Sequence, residues 1–423
     1  MTFADDATLL DLAERFHTPL YVFDEATIRA RCAELKAAVT YPDFVVRYAC
    51  KALTLQAVLR IVLDEGLWVD ASSINEVHRA LRAGFEPGEI DYTGEGATAV
   101  VYGFLADTGV LINCTSLDQI RLLGHVRPGH RCSLRINPGK GHGETTKTNT
   151  GGPSSKHGIW HEDVDEALAL AASFDLVVEG IHSHIGSGTD LGHWLAIKDA
   201  TLAIAARVPT LTFVNLGGGL PVVYHPERDR PMPLDAWGAA LSESMTAFSA
   251  RMGRPIRLII EPGRYVVAEA GLLLAEVQAV KATPGYTFAV VNTGLNHNIR
   301  PALYGSWHPI RFVAGDGRAP EPPRPYVVAG YLCESGDVFT TEADGTLEPR
   351  PFPALAVGDL MVMGHVGAYA HAMKSEYNSM NAPASVLLDR EGRASVIERR
   401  GTLADLMRRE VEAYSVGRNA VGM

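Results

Sequence analysis

The chain has 423 residues, 47% hydrophobic and 21% charged, with a formal net charge of -11 and no block of like charge. That composition suits a globular protein with a sizeable core, and the acidic balance argues against nucleic acid, which requires clustered Lys and Arg. Five scattered cysteines (Cys32, Cys50, Cys114, Cys132 and Cys333) lack CxxC spacing, so neither a disulfide framework nor a metal site is expected, and a reducing cytoplasm fits best. The opening MTFADDATLL has no basic region followed by an apolar run, so no secretory signal is expected. No apolar stretch is long enough to predict a membrane span.

Short β-rich runs at Val45–Ala49, Trp68–Ala71, Ile90–Thr93, Val110–Asn113, Arg131–Ile136, Val178–His184, Thr212–Leu216 and Arg257–Glu261 predict strands. Apolar spacings of three and four predict helices over Leu53–Glu65, Ile74–Ala83, Val100–Asp107, Leu117–Leu123, Val164–Ser173, Trp194–Ala206 and Ala236–Met252. Eight strands alternating with helices predict a parallel (β/α)8 barrel of the TIM type. A doubly wound open sheet has the same local pattern. The stretch Asn137–Gly158 is long, polar and glycine-rich, as functional or mobile loops are. From Gly271 the rhythm changes: Leu272–Ala282, Thr287–Thr293, Tyr326–Leu332, Asp359–His365 and Ala394–Arg399 read as strands of a β-rich, sandwich- or barrel-like domain.

Active sites of such barrels lie at the C-terminal ends of the strands. Lys51, Asp70, His184, Gly217, Gly218, Gly219 and Glu261 all fall there. A partly buried Lys51 amine can form a Schiff base, although a solvated lysine opening a helix is the commoner case. His184, in HSHIGSG, can stack on a planar ring or simply be a hydrogen-bonded core histidine. The glycine triplet exposes successive N–H groups that suit a phosphate, or makes an ordinary turn. Glu261, in EPGR, can hold a ring nitrogen protonated, and Arg264 can fork onto a phosphate or carboxylate. Together they can equally be a surface ion pair. In the β-rich half, Arg300 and Tyr304 (RPALY) offer a carboxylate clamp, Cys333 and Glu334 (CESGD) a thiol beside acids, and Tyr369 (GAY) a phenol.

The ordered set YACK, HSHIGSG, NLGGG, EPGR, RPALYG, CESGD and GAY resembles the fold-type III, alanine-racemase-like decarboxylases that use pyridoxal 5'-phosphate (PLP). Within that group it is most similar to the diaminopimelate decarboxylases, from about Thr18 to Ile397. The resemblance implies a PLP-binding barrel over residues 26–270 and a β-rich domain from 1–25 and 271–423. It implies a homodimer with shared active sites and a small amino-acid substrate. Lys51 would carry the cofactor, and His184 would stack on its ring. Ser187, Gly217, Gly218, Gly219 and Tyr369 would meet its phosphate, and Glu261 its ring nitrogen, with Asp70, Gly263 and Arg264 bordering it. Arg264, Arg300, Tyr304 and Tyr369 would meet substrate. Glu334 and Cys333 would come from the partner, for the distal ammonium and for protonation of the carbanion.

Asn292, His297, Tyr331 and Lys374 depart from the usual pattern of that family near strings that line the pocket. They bear on the substrate. Decarboxylation of meso-diaminopimelate to L-lysine and CO2 is the expected activity. The alternatives are decarboxylation of another diamino or modified amino acid, racemisation, or a non-catalytic relative, which should have lost Lys51.

Overall fold

The computed structural model describes residues 3–141, 149–184, 186–187, 190–319, 321–342 and 344–411. The first strand is β1 (Leu20–Asp24), buried throughout. It is followed by β2 (Phe44–Ala49), β3 (Trp68–Ala71), β4 (Ile90–Tyr92), β5 (Leu111–Cys114), β6 (Arg131–Asn137), β7 (Ile159–Trp160), β8 (Val177–His182), β9 (Phe213–Asn215) and β10 (Arg257–Ile260). Strands β2 to β6 and β8 to β10 close a ring in which every pairing is parallel. The open-sheet alternative is thereby excluded: β10 pairs with β2. The two-residue β7 extends the end of β6.

Helices wrap the ring because each presents a buried stripe to it. Helix Ile74–Ala83 buries Val77, Ala80 and Ala83, is capped where Ser73 accepts from the Glu76 N–H, and stops at Gly84 with φ +114°. Helix Leu234–Met252 likewise buries Trp237, Leu241, Met245 and Phe248. The barrel floor holds a buried ion pair, Arg47 to Asp91 at 2.8 Å.

The second sheet comprises β1 with β11 (Gly271–Ala282), β12 (Thr287–Val291), β13 (Ile310–Val313), β14 (Arg324–Ala329), β15 (Arg350–Phe352), β16 (Leu360–Met363), β17 (Ala384–Leu388) and β18 (Ala394–Glu398). The start of β11 lies between β1 and β16, and its end pairs with β12 past a bulge between Val277 and Ala279. Such a long, bulged strand lets one sheet turn a corner. β1 is antiparallel to β11 and parallel to β17. Helix Asp6–Phe16 covers this sheet through Leu9 and Leu12, which pack with Leu20, Val22, Leu272 and Val386.

Several predicted strands end earlier than expected, β8 and β14 among them. β8 stops at His182, so Ser183 and His184 belong to a loop. β14 stops at Ala329, because Gly330 N–H turns to donate to Asp337 O at 2.8 Å. The Asp337 carboxylate then collects the N–H groups of Leu332 (2.8 Å) and Leu295 (2.6 Å). β1, β7, β13, β15 and β17 are additional to the expected set. Among the described residues, no helix is long and apolar enough to cross a membrane.

Candidate active site

Two cavities mark the ends of the barrel. That at the N-terminal end measures about 630 Å3 and contains Arg47, Arg131 and Arg257. Each of these arginines is already paired, to Asp91, Glu179 and Asp43 respectively. The cavity at the C-terminal mouth measures about 340 Å3 and is lined by Lys51, Asp70, Glu95, Arg135, His182, His184 and Glu261, among others. It is the smaller of the two, yet it concentrates the groups that can do chemistry.

Lys51 sits in the single turn Cys50–Ala52 that follows β2. Its side chain keeps solvent access, but through this cavity, with protein atoms packed all around it. Burial pushes the amine's pKa down, while the charges of Tyr369, Asp70 and Glu261 pull it up and Arg135 opposes them; the net direction is up. Asp70, at the end of β3, is driven the same way, by burial first and then by Glu261, while Lys51 opposes the rise.

Three adjacent strand ends build the opposite wall. The Asn215 Oδ1 accepts from Gly217 N–H at 2.9 Å, which fixes the amide so that its Nδ2 donates to Glu261 Oε1. His182 Nε2 meets Glu261 Oε2 at 3.0 Å. Burial alone would raise the Glu261 pKa, but the His182 charge and hydrogen bond, the Asn215 bond and the Arg47 charge carry it well below the ordinary carboxylate range. His184 Nδ1 accepts from Gly218 N–H at 3.1 Å. Burial, with Lys51 and Arg135, holds the imidazole neutral, its pKa well below the usual value.

The glycine turn is sterically obligatory. Gly217 has φ +65°, and a Cβ there would lie 2.5 Å from Ser183 O and 2.8 Å from His184 Nδ1. At Gly218 it would lie 2.4 Å from Glu261 O. A cradle that no side chain can enter, beside an amine, a neutral imidazole and an ionised carboxylate, fits the phosphate, aldehyde, ring and ring nitrogen of PLP.

The β-rich half reaches this mouth through Tyr369, whose N–H donates to Ala52 O at 2.9 Å. Gly263 and Arg264 follow β10, where Ala49 N–H donates to Pro262 O at 3.2 Å. The guanidinium carbons of Arg264 and Arg300 stand 5.8 and 5.2 Å from the Tyr224 ring, and both 6.0 Å from the Tyr369 ring. Arg300 is 2% exposed; it donates to Ser306 Oγ at 3.2 Å, and its Nε has no partner. Tyr304 closes the same short helix, Arg300–Tyr304, half-buried, and Ser187 is half-buried in the loop after His184.

Cys333 and Glu334 are not brought to Lys51. Both are exposed; Cys333 N–H donates to Asn378 Oδ1 at 2.9 Å, and Glu334 accepts from Tyr377 at 3.2 Å. The departing residues also lie off the cavity wall. Asn292 bridges Thr18 (2.8 Å) and Glu276 N–H (2.8 Å). His297 is bonded to Thr293 at 2.9 Å, and Tyr331 donates nothing to it but accepts from Asn296 at 3.4 Å. Lys374 binds His371 at 2.8 Å and Glu398 at 3.3 Å. The middle of the expected Asn137–Gly158 loop, 142–148, lies outside the described residues, as do Ile185 and Gly188 of HSHIGSG.

The sequence reading assigned no role to Arg135, His182, Asn215 or Tyr224. Arg135 and His182 are register partners on β6 and β8, and His182 and Asn215 are partners on β8 and β9, so the three share one layer of the barrel. A charged or polar residue near the end of an otherwise apolar strand was the available signal.

Comparison with known proteins agrees with this geometry. The family profile described as pyridoxal-dependent decarboxylase, pyridoxal binding domain, matches residues 25–268. A diaminopimelate decarboxylase of Streptomyces coelicolor is 41% identical over 96% of this chain and 92% of its own length. The chain belongs to the diaminopimelate decarboxylase family of pyridoxal-dependent decarboxylases. A crystal structure of a diaminopimelate decarboxylase superposes with a TM-score of 0.90 at 38% identity, covering 96% of this chain and 98% of the other. The Helicobacter pylori diaminopimelate decarboxylase complexed with L-lysine does so with a TM-score of 0.83 at 28% identity, covering 94% and 98%. Membership of this family makes PLP the cofactor of the Lys51 cavity.

Proposed function

We propose that this chain decarboxylates meso-diaminopimelate to L-lysine and CO2, as a cytoplasmic homodimer whose cavities are completed by residues of the second copy. The observation that carries the proposal is the meeting, at one barrel mouth, of the Lys51 amine, the ionised Glu261 and the neutral His184 over a glycine cradle. Lysine bound to the H. pylori relative supports the identity of the product.

When bound, PLP supplies an electron sink for the bond that loses CO2. Lys51 would hold it covalently through its amine. The Gly217, Gly218 and Gly219 turn, the Ser187 hydroxyl and Tyr369 would border its phosphate, the Gly217 and Gly218 N–H groups being already given to Asn215 and His184. His184 would lie against its ring, Glu261 would keep the ring nitrogen protonated, and Asp70, Gly263 and Arg264 would border it. Arg300 is buried and, among the described residues, its guanidinium donates to the Ser306 hydroxyl while its Nε has no partner, so a substrate carboxylate would satisfy it; Tyr304 stands on the same helix. Glu334 of the second copy meets the distal ammonium, and its Cys333 helps return a proton to the carbon that lost CO2.

A different diamino acid is the second reading, raised by His297, Tyr331 and Lys374. Their bonding to neighbours within the β-rich sheet favours the first. Purified, PLP-loaded protein is expected to release CO2 from meso-diaminopimelate in preference to lysine, ornithine and arginine, and Lys51→Ala to release none. Release from ornithine or arginine alone, or an inverted product without CO2, would replace this reading.

A further inference from the structure

We propose that His182 is a positioning residue that holds Glu261 as an oriented, full-charge carboxylate for the ring nitrogen of PLP. This rests on the role given to Glu261 above. His182 ends β8 and Glu261 follows β10, with β9 between them; the Nε2 to Oε2 contact of 3.0 Å bridges that strand. The two side chains are 2% and 5% exposed, so water does not mediate or compete. The other imidazole nitrogen, Nδ1, is buried and has no hydrogen-bond partner among the described residues. Glu261 is therefore the ring's one polar anchor, and Nε2 must be the protonated nitrogen that donates. Asn215 occupies the second carboxylate oxygen, so the carboxylate plane is fixed from both sides.

The choice of imidazole has a physical reason. Burial lowers the His182 pKa, which Glu261 opposes and Arg135 and Lys51 reinforce. An imidazole N–H, unlike a permanent cation, can orient a carboxylate without cancelling its charge. A lysine or arginine in its place would compete with the ring nitrogen for that charge. A histidine that merely filled the core would have no reason to give its only hydrogen bond to this oxygen and leave Nδ1 bare.

The test compares two cofactors: PLP, and its analogue with a C–H group in place of the ring nitrogen. His182→Gln keeps an amide N–H where Nε2 stands, whereas His182→Asn is too short to reach Glu261. His182→Asn is expected to bind PLP about tenfold more weakly than wild type, His182→Gln to recover most of that loss, and both to bind the carbon analogue like wild type. Equal losses for both cofactors, or no loss for either, would overturn the role of His182. Failure of the wild-type protein to bind either cofactor would instead overturn the PLP reading itself.

Discussion

The backbone N–H of Tyr369 donates to the carbonyl of Ala52, the residue after Lys51, at 2.9 Å. This bond ties the β-rich half to the turn that carries the reactive amine. Tyr369 adopts φ +65°, a left-handed conformation that costs a non-glycine residue about 1 kcal/mol. Its half-buried ring stands beside Arg264 and Arg300.

Tyr369→Phe should therefore retain the ring and the fold and lose only the hydroxyl. Its melting temperature should match that of wild type, with PLP affinity lowered about tenfold, as for a lost hydrogen bond to a charged group. Tyr369→Gly relieves the strained φ and should also melt near wild type, but it removes the ring that both guanidinium groups face and should lose far more activity. Thermal melts and PLP titration check both.

Much of this site was legible because polar residues closing apolar runs are conspicuous: Lys51 and Glu261 stand out after β2 and β10, and Asp70 near the end of β3. Arg135 and His182 lie on β6 and β8, where one strand's sequence does not reveal that cross-strand register sets them side by side with Asn215. β1 was hidden for a related reason. It pairs with Gly271–Leu274 and with Ala384–Leu388, partners roughly 250 and 360 residues away, so no local pattern marks its place. Cys333 and Glu334 read as active-site residues from their string alone, and the single chain leaves them on its surface.

The barrel floor should prove intolerant of half-measures. Arg47 and Asp91 are 3% and 1% exposed and bond at 2.8 Å, with Arg47 also 5.4 Å from the Trp68 ring. Burial lifts the Asp91 pKa to about 7 despite the opposing Arg47 charge. Arg47→Leu leaves that acid uncompensated and should cost about 3–5 kcal/mol. Arg47→Leu with Asp91→Leu should recover most of it. Urea unfolding of the two variants decides; an equal loss in both would mean that packing, not charge, matters here.

Glu398 should make stability depend on acid. Burial raises its pKa, but the His371 hydrogen bond and the charges of His371 and Lys374 bring it down from 4.5 to about 2. A carboxylate depressed on folding stabilises above its unfolded value and loses that contribution as pH falls. The contribution of Glu398 is thus full above pH 4.5 and fades toward pH 2. Glu398→Gln should melt below wild type at pH 7, and the gap should shrink as the pH is lowered from 4.5 to 3. A gap independent of pH would point to shape rather than charge.

The exposed Cys333 and Glu334 make the strongest demand on assembly. Glu334 borders a surface cavity of about 520 Å3 with Leu295, Ala302, Gly336, Ser375 and Tyr377, none of which lines the Lys51 cavity. If each active site takes Lys51 from one copy and Cys333 from the other, Lys51→Ala and Cys333→Ala are separately near-inactive yet complementary. In a mixed dimer one site receives both substitutions and the other receives neither. Random mixing makes half the dimers mixed, each with one intact site of two, so about a quarter of wild-type activity should return. Activity after dissociation and reassociation of equal amounts measures this directly. No recovery, with mixed dimers demonstrated by tag capture, would place both residues outside the shared site.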